Sequence, residues 1–368
     1  MTSDALLAEP PGSAAFQVWG DALLERGDPR GELVQLSRSR PSAEVRAALQ
    51  ALTAKHPEWT KGCEQHFRVE FKDGFIDALV MPEGHAAQQL ERGDGYCDEP
   101  ELPVLYDGVT ARLRRFSADT MLSVVPDHGC WGRQSKTFDA LVSMERPWLR
   151  TVEVDRRLMS EPLDEASGRA RLSHALKGSM HEAEVHLGHS LARLWHAAPR
   201  LEHLVIAQAQ ELDLGNVDAP HLRTLCLGLM PVGAAQLGAL AEARVPQLKW
   251  LELRLQREAW RKDELDGAAL SELLESGAVA RLEHLGLLGT GAGQPYGDVV
   301  LDVLGRWERL SSLRSLDLGG LSCSPQAWRR FVELKPRLKW LRLCRSTVRD
   351  PEWLQAVLPV EWRRAEGD

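Results

Sequence analysis

Six segments of the chain share the spacing L-x-x-L-x-L/I, and this repeat limits the possible folds more than any other feature of the sequence. The first residues of successive segments lie 21, 26, 34, 31 and 25 positions apart. The segments are residues 201–206, 222–227, 248–253, 282–287, 313–318 and 338–343. A unit that recurs at intervals of roughly 20 to 50 residues cannot bury its apolar side alone, so we expect successive units to stack on one another.

Weaker copies of the same spacing extend the repeat towards the N-terminus. They occupy residues 75–80, 113–118, 149–154 and 180–185, which makes ten units in all. Between the units, apolar residues three or four positions apart predict helices at 234–244, 267–276, 299–307 and 325–334. The 21-residue unit leaves room only for a turn or a 3₁₀ segment. Strands that alternate with helices predict a parallel sheet.

This spacing with variable intervals resembles that of leucine-rich repeats. The resemblance implies an α/β solenoid, shaped like a horseshoe, in which parallel strands alternate with helical or 3₁₀ return segments over residues 63–368. Members of the family usually carry an asparagine three residues after the last strand leucine, whereas the only asparagine here, Asn216, is not at such a position. We therefore expect the turns to satisfy their buried backbone groups through main-chain hydrogen bonds or water.

Residues 1–62 do not follow the repeat. They predict helices at 14–26 and 42–55, the second capped by Ser42. Residues 19–33, with the sequence WGDALLERGDPRGEL, resemble the repeat-companion module that precedes leucine-rich repeats in many bacterial proteins, and residues 71–79 resemble the strand that follows it. The resemblance implies a bacterial protein whose first layer is covered by a helical cap. The alternative is an additional binding role for the charged residues Glu25, Arg26, Asp28 and Arg30.

Composition and charge exclude several classes of function. The formal net charge of -8 argues against a protein that binds duplex nucleic acid, which requires a basic surface. No run of eighteen apolar residues predicts a membrane span, and residues 1–12 lack the features of a signal peptide. The six cysteines are scattered singly and are interpreted as free thiols. We expect a cytoplasmic protein that binds neither membrane nor nucleic acid.

Three segments contain residues that are typical of catalytic or metal sites. His181 and His186 are one position too far apart for the zinc motif H-E-x-x-H, and the glycine-rich residues 289–295 lack the acidic partner of a dinucleotide site. We therefore expect no metal and no cofactor. A reactive cysteine, Cys130 beside His128 in the loop 127–133 or Cys97, would make the chain an enzyme or the substrate-recognition subunit of one. The surrounding residues 93–136 are interpreted as a loop insertion, either solvated or in contact with a partner.

The repeat also predicts a binding surface, because the second, fourth and sixth residues after the first leucine of each unit point away from the core. Carboxylates cluster on the units that begin at 149 and 180, while two tryptophans lie near arginines further along. Tryptophan and arginine are enriched at interface hot spots. The predicted binding residues are Glu153, Asp155, Glu182, Glu184, His203, Trp250, Glu252, Arg254, His284, Asp317, Trp340 and Arg342.

From this surface we expect a non-enzymatic module, a scaffold, adaptor or inhibitor, that binds a protein or peptide through the concave strand face. No catalytic residues are assigned in this interpretation. The alternative is that flanking loops cover the tryptophans and that the carboxylates form only a solvated face.

Overall fold

The computed structural model describes the larger part of the chain, with gaps. The described residues are 6, 9–61, 63, 67–80, 105, 110, 112–118, 136–154, 191–210, 212–230, 233–255, 267–289, 296–333, 341–344 and 351–363.

One sheet of eleven strands runs through the described residues, and the order of strands in the sheet is the order in the chain. Strand β1 is antiparallel to β2, and every later strand is parallel to its neighbours. The strands are β1 (Arg68–Lys72), β2 (Phe75–Val80), β3 (Arg115–Ala118), β4 (Thr151–Val154), β5 (His203–Gln210), β6 (Thr224–Met230), β7 (Trp250–Leu255), β8 (His284–Gly289), β9 (Ser315–Asp317), β10 (Leu341–Cys344) and β11 (Val360–Arg363). The α/β fold with a mostly parallel sheet is confirmed.

Helices occur before the first strand and between several of the later strands. The ten α-helices of the described residues are α1 (Ala14–Glu25), α2 (Arg30–Arg38), α3 (Ala43–Lys55), α4 (Lys136–Leu141), α5 (Ala192–Ala197), α6 (Ala234–Ala241), α7 (Gly267–Glu275), α8 (Gly297–Arg306), α9 (Pro325–Glu333) and α10 (Pro351–Val357). The four predicted return helices correspond to α6 to α9. None of the described helices is long and apolar enough to cross a lipid bilayer.

The repeat leucines form the core between sheet and helices. The fourth residue of each frame from β3 to β10 is almost completely buried and lies beside its counterpart on the next strand, as Val152 does beside Leu204, and Leu285 beside Leu251 and Leu316. Apolar residues of the helices, such as Leu237 and Leu304, belong to the same cluster. The described leucines of the frame therefore pack in one core between the sheet and the helices.

The turns after β8 and β9 are in close backbone contact with each other. The Gly289 N–H donates to Gly319 O at 2.9 Å, and a Cβ atom on Gly289 would lie 2.3 Å from Gly320 O. Gly320 itself has a φ of +76°, which favours glycine. At this pair of turns a main-chain hydrogen bond therefore joins two adjacent strand ends.

A buried carboxylate contributes to the attachment of the N-terminal helices to the first hairpin, beside ring contacts of Phe16 and Trp19 with Phe75. Asp73, in the tight turn between β1 and β2, accepts from Arg38 Nη1 at 2.6 Å and from the Gly12 N–H at 2.7 Å. Asp73 and Gly74 have φ values of 54° and 82°, as a two-residue hairpin turn requires. Ser42 caps α3 by accepting from the Val45 N–H, as predicted.

The structure differs from two expectations about the repeats. The repeat predicted a further strand at 180–185 between β4 and β5, but these two strands pair directly with each other at four pairs of residues. Residues 180–185 themselves lie outside the described residues. The range 93–136, interpreted as an insertion, contains β3. In addition, β1 and β11 belong to the sheet although neither follows the repeat frame.

Candidate binding site on the strand face

The strand positions that alternate with the core positions form two rows across the sheet. The first face row comprises Arg115, Thr151, His203, Thr224, Trp250, His284 and Ser315, which are consecutive neighbours from β3 to β9. The second face row comprises Ser117, Glu153, Val205, Cys226, Glu252, Gly286, Asp317 and Arg342, two positions further along each strand from β3 to β10. The register therefore brings the predicted residues of separate units onto one surface.

Several predicted binding residues whose side chains are described have little access to solvent. Glu153, Glu252, His284 and Asp317 are buried, whereas His203 is partly exposed and Trp250 is 40% exposed. These four residues lie outside the leucine core and are nevertheless shielded from solvent. Glu153, Glu252 and His284 form hydrogen bonds with side chains on adjacent strands.

Trp250 lies in the best-defined polar cluster of this face. Its indole stacks on the imidazole of His284 with the ring centroids 3.7 Å apart and the planes 16° apart. The indole Nε1–H donates to Glu252 Oε1 at 3.1 Å, and His284 Nε2 lies 3.1 Å from the same oxygen. His284 Nδ1 lies 2.6 Å from Ser315 Oγ. Because a carboxylate only accepts, Nε2 carries the ring proton and, in the neutral ring, Nδ1 accepts from the Ser315 hydroxyl.

Gly286 makes this arrangement possible. It is the neighbour of Glu252 on β8, and a Cβ atom there would lie 2.7 Å from Glu252 Cγ. The glycine therefore allows the Glu252 side chain to lean over β8 and reach His284. Beyond Gly286, the buried Asp317 accepts from the Gly319 N–H at 3.0 Å. This hydrogen bond fixes the end of β9.

A second polar cluster lies nearer the N-terminus. Arg115 Nη2 donates to Glu153 Oε2 at 3.0 Å, with the Arg115 side chain 46% exposed. His203 Nδ1 lies 2.9 Å from Thr224 Oγ1, which is the same histidine-to-hydroxyl contact that His284 makes with Ser315. The repeat frame could not identify Arg115, Thr224 and Ser315 as hydrogen-bond partners of Glu153, His203 and His284. Cross-strand neighbours become evident only when the register of the strands is known.

The side chains of the remaining predicted residues are not described. Asp155, Glu182, Glu184 and Trp340 lie outside the described residues, as do residues 127–133 and Cys97. Arg254 and Arg342 are described only by their backbone positions on β7 and β10.

Ser315, His284 and Glu252 also follow the order of nucleophile, base and carboxylate in a catalytic triad. In this protein the imidazole of His284 is only 2% exposed and lies under Trp250. The same contact between histidine and hydroxyl recurs at His203 and Thr224, where it forms part of the sheet surface. Both observations favour a supporting role for His284 over proton transfer to a substrate.

A buried arginine that the sequence analysis missed supports the sheet behind this face. Arg146 is fully buried and donates to Leu141 O at 2.7 Å, to Thr110 O at 2.8 Å and to Leu105 O. Burial lowers the pKa of Arg146 to about 10. Its surroundings are carbonyl oxygens, so it joins separate backbone segments and does not present a charge to a ligand.

Comparison with known proteins extends only to the fold. No family model matches the chain, and no curated protein matches it. A similar fold occurs in the crystal structure of a protein from Bacteroides fragilis, a structural genomics target. It superposes with a TM-score of 0.52 at 16% sequence identity, over 88% of this chain and 83% of that chain.

Proposed function

We propose that the chain is a leucine-rich repeat solenoid that binds a protein or peptide through the strand face around Trp250. The L-x-x-L-x-L/I frame and the sequential parallel sheet support the leucine-rich repeat assignment. Residues 1–62, resembling a repeat-companion module, form its N-terminal cap, since Asp73 and Arg38 connect the helices to the first hairpin. The cytoplasm is the compartment we expect, and the three cysteines among the described residues are buried thiols.

The single observation that carries the binding proposal is an exposed tryptophan held in one orientation. Stacking on His284 and the hydrogen bond to Glu252 fix both the plane and the rotation of the Trp250 ring. About 40% of the residue nevertheless remains exposed. A ring that is already immobilised loses little conformational entropy when a partner covers it, so burying its free side contributes almost fully to affinity.

Comparative capture from cell extract tests the proposal. The immobilised wild-type chain and Trp250→Ala are exposed to the same extract, and the bound proteins are quantified by mass spectrometry. We expect at least one protein to be retained by the wild type and depleted tenfold or more by Trp250→Ala, which corresponds to about 1.4 kcal/mol of binding free energy.

The matched control is Val299→Ala, which shortens an apolar side chain of similar exposure on the helical side of the sheet in α8. This control should retain the same proteins as the wild type. Equal recovery of every protein by the wild type and Trp250→Ala would contradict the proposed site.

A further inference from the structure

A row of charged residues follows the edge of the sheet at which strands β4 to β9 begin. Each member directly precedes a residue of the first face row, so the row continues from strand to strand with the register of the sheet. We call it the strand-start rim, and it comprises Arg150, Glu202, Arg223, Lys249, Glu283 and Arg314. Four cations and two carboxylates make the rim positive, although the formal net charge of the chain is -8.

Main-chain hydrogen bonds fix the positions of the rim residues. The Lys249 N–H donates to Arg223 O at 3.0 Å, and the Glu283 N–H donates to Lys249 O at 2.8 Å. The Arg314 N–H donates to Glu283 O at 2.8 Å. Consecutive rim residues are therefore separated by one strand spacing, about 4.8 Å. A partner thus meets charged side chains whose backbone positions are already set.

The ion pairs of the rim leave its positive charge between β6 and β9. Glu283 is shared by Lys249 Nζ at 2.7 Å and Arg314 Nη1 at 2.8 Å, so one carboxylate faces two cations. Arg223 is exposed, and in the described part of the chain no carboxylate oxygen lies within 4.0 Å of its guanidinium. Two positive charges therefore remain on the three cations of this stretch.

This stretch of the rim is accessible to solvent. The side chains of Lys249 and Arg314 are 60% and 70% exposed. The turns that lead into β5 to β9, residues 198–202, 219–223, 243–249, 276–283 and 307–314, are all described. Apart from Arg244, which pairs with Asp218, they add the exposed residues Arg200, Arg281, Glu308 and Arg309. Three arginines and one glutamate increase the positive charge of this edge.

The positive stretch borders the exposed tryptophan of the proposed binding site. Lys249 directly precedes Trp250 in the chain, so their Cα atoms are about 3.8 Å apart. Arg223 O accepts from the Trp250 N–H at 3.0 Å. A partner that covers the exposed side of the indole therefore lies within reach of both cations.

We infer that the strand-start rim binds acidic side chains of the partner, so that the segment on Trp250 carries carboxylates opposite Arg223, Lys249 and Arg314. The inference rests on the proposed function and adds the chemistry of the partner. Charged groups at the edge of an interface favour partners of complementary charge and accelerate their association.

The pattern of charges favours an acidic protein segment over a nucleic acid. Glu202 and Glu283 interrupt the cations of the rim, and the whole chain is negative. Both features oppose a continuous row of phosphates, which requires an uninterrupted basic surface. A peptide can place single carboxylates at the cations and neutral residues at the two glutamates.

Titration with a defined acidic peptide tests the rim without a partner. Acetyl-hexaglutamate amide is added to the full chain at neutral pH, and the Nε–H signal of Arg223, assigned with Arg223→Gln, is followed by ¹H–¹⁵N NMR. We expect a saturable shift, with acetyl-hexaglutamine amide binding roughly tenfold more weakly and added salt reducing the affinity for hexaglutamate. The absence of a saturable shift, or equal affinities for the two peptides, would overturn the inference. Hexathymidylate that binds as tightly as hexaglutamate would refute the choice of an acidic protein segment.

Two matched double variants locate the binding site of the peptide. Arg223→Gln with Lys249→Gln should weaken hexaglutamate about fivefold or more in isothermal titration calorimetry, because the two cations nearest Trp250 are removed. The control, Arg46→Gln with Lys55→Gln, neutralises two exposed cations of α3 and changes the net charge equally. Circular dichroism establishes that both variants are folded. Equal weakening by both pairs would contradict the inference, since the overall charge and not the rim would then attract the peptide.

The capture experiment separates this inference from the proposed function. A protein that Trp250→Ala loses should also be depleted about fivefold or more by the rim variant and retained by the α3 control. A protein that is lost with Trp250→Ala but retained by the rim variant would refute the role of the rim and leave the proposed function standing. If Trp250→Ala loses no protein, the proposed function fails, and with it the role assigned to the rim.

Discussion

At the scale of single residues, the position of Gly286 decides which way a neighbouring carboxylate turns. The glycine lets Glu252 lean towards His284, whereas the equivalent Val205 stands beside Glu153, which accepts from Arg115. The orientation of Trp250 depends on this glycine, because the same Glu252 oxygen accepts from both rings.

Gly286→Val should therefore push Glu252 away from His284 and release Trp250. We expect unfolding in urea to show a loss of about 1 to 3 kcal/mol, since a crowded strand face is combined with a broken buried hydrogen bond. The control is Gly238→Ala in α6, where a Cβ atom meets nothing within 4 Å. That substitution should gain about 0.5 to 1 kcal/mol from helix propensity. Equal stability of the two variants would show that Glu252 has no such role.

Arg146→Lys should be among the most destabilising conservative changes in the chain. A lysine ammonium cannot reach the carbonyl oxygens of residues 105, 110 and 141 at the same time, so buried acceptors lose their donors. We expect a loss of about 3 kcal/mol or more in urea unfolding. Arg150→Lys, in an ion pair with Glu202 whose arginine side chain is 42% exposed, should cost less than about 1 kcal/mol. Similar costs for the two variants would contradict the role of Arg146.

At the scale of elements, the strands that carry the frame could be predicted and the contacts between them could not. The leucines at fixed spacing identified β5 to β10, and the weaker copies of the frame identified β2 to β4, because each strand must place similar positions in the core. The copy at 75–80 was out of register by one residue, since Leu79 and not Ala78 lies beside Phe116. Strand β1 escaped the analysis although Asp73 and Gly74 are a strong hairpin signal. The burial of Glu252 and His284 depends on register and on Gly286, which a single sequence does not reveal.

The junction between the N-terminal helices and the first hairpin should open when Asp73 is replaced. Asp73→Ala removes the acceptor for Arg38 and Gly12 and places alanine at a positive φ, so α1 and α2 should exchange amide hydrogens roughly 100-fold faster. Asp73→Asn keeps an acceptor and tolerates that backbone conformation, and its effect should be smaller. Hydrogen exchange followed by mass spectrometry measures both. Unaltered exchange in α1 with Asp73→Ala would show that other contacts hold the module.

At the scale of the whole molecule, the order of strands in the sheet predicts how a local defect spreads. Every strand pairs only with its neighbours in sequence among the described residues, from β1 to β11. Arg112 strengthens one end: it donates to Leu6 O at 2.7 Å and lies against the rings of Phe16 and Trp148. Stability in such an array is close to a sum of unit and interface contributions, so distant units are only weakly coupled.

Leu316→Ala and Leu79→Ala should consequently destabilise opposite ends of the sheet. Both leucines are fully buried, on β9 and β2 respectively, and each change should cost about 2 to 5 kcal/mol. With Leu316→Ala we expect amide exchange to accelerate in β8 to β10 far more than in β2 to β4, and with Leu79→Ala the reverse, because each defect is felt mainly through adjacent interfaces. Hydrogen exchange of the two variants under identical conditions measures this contrast. Uniform acceleration along the sheet in both variants would instead mean that the array unfolds as a single cooperative unit, and the nearest-neighbour description would have to be abandoned.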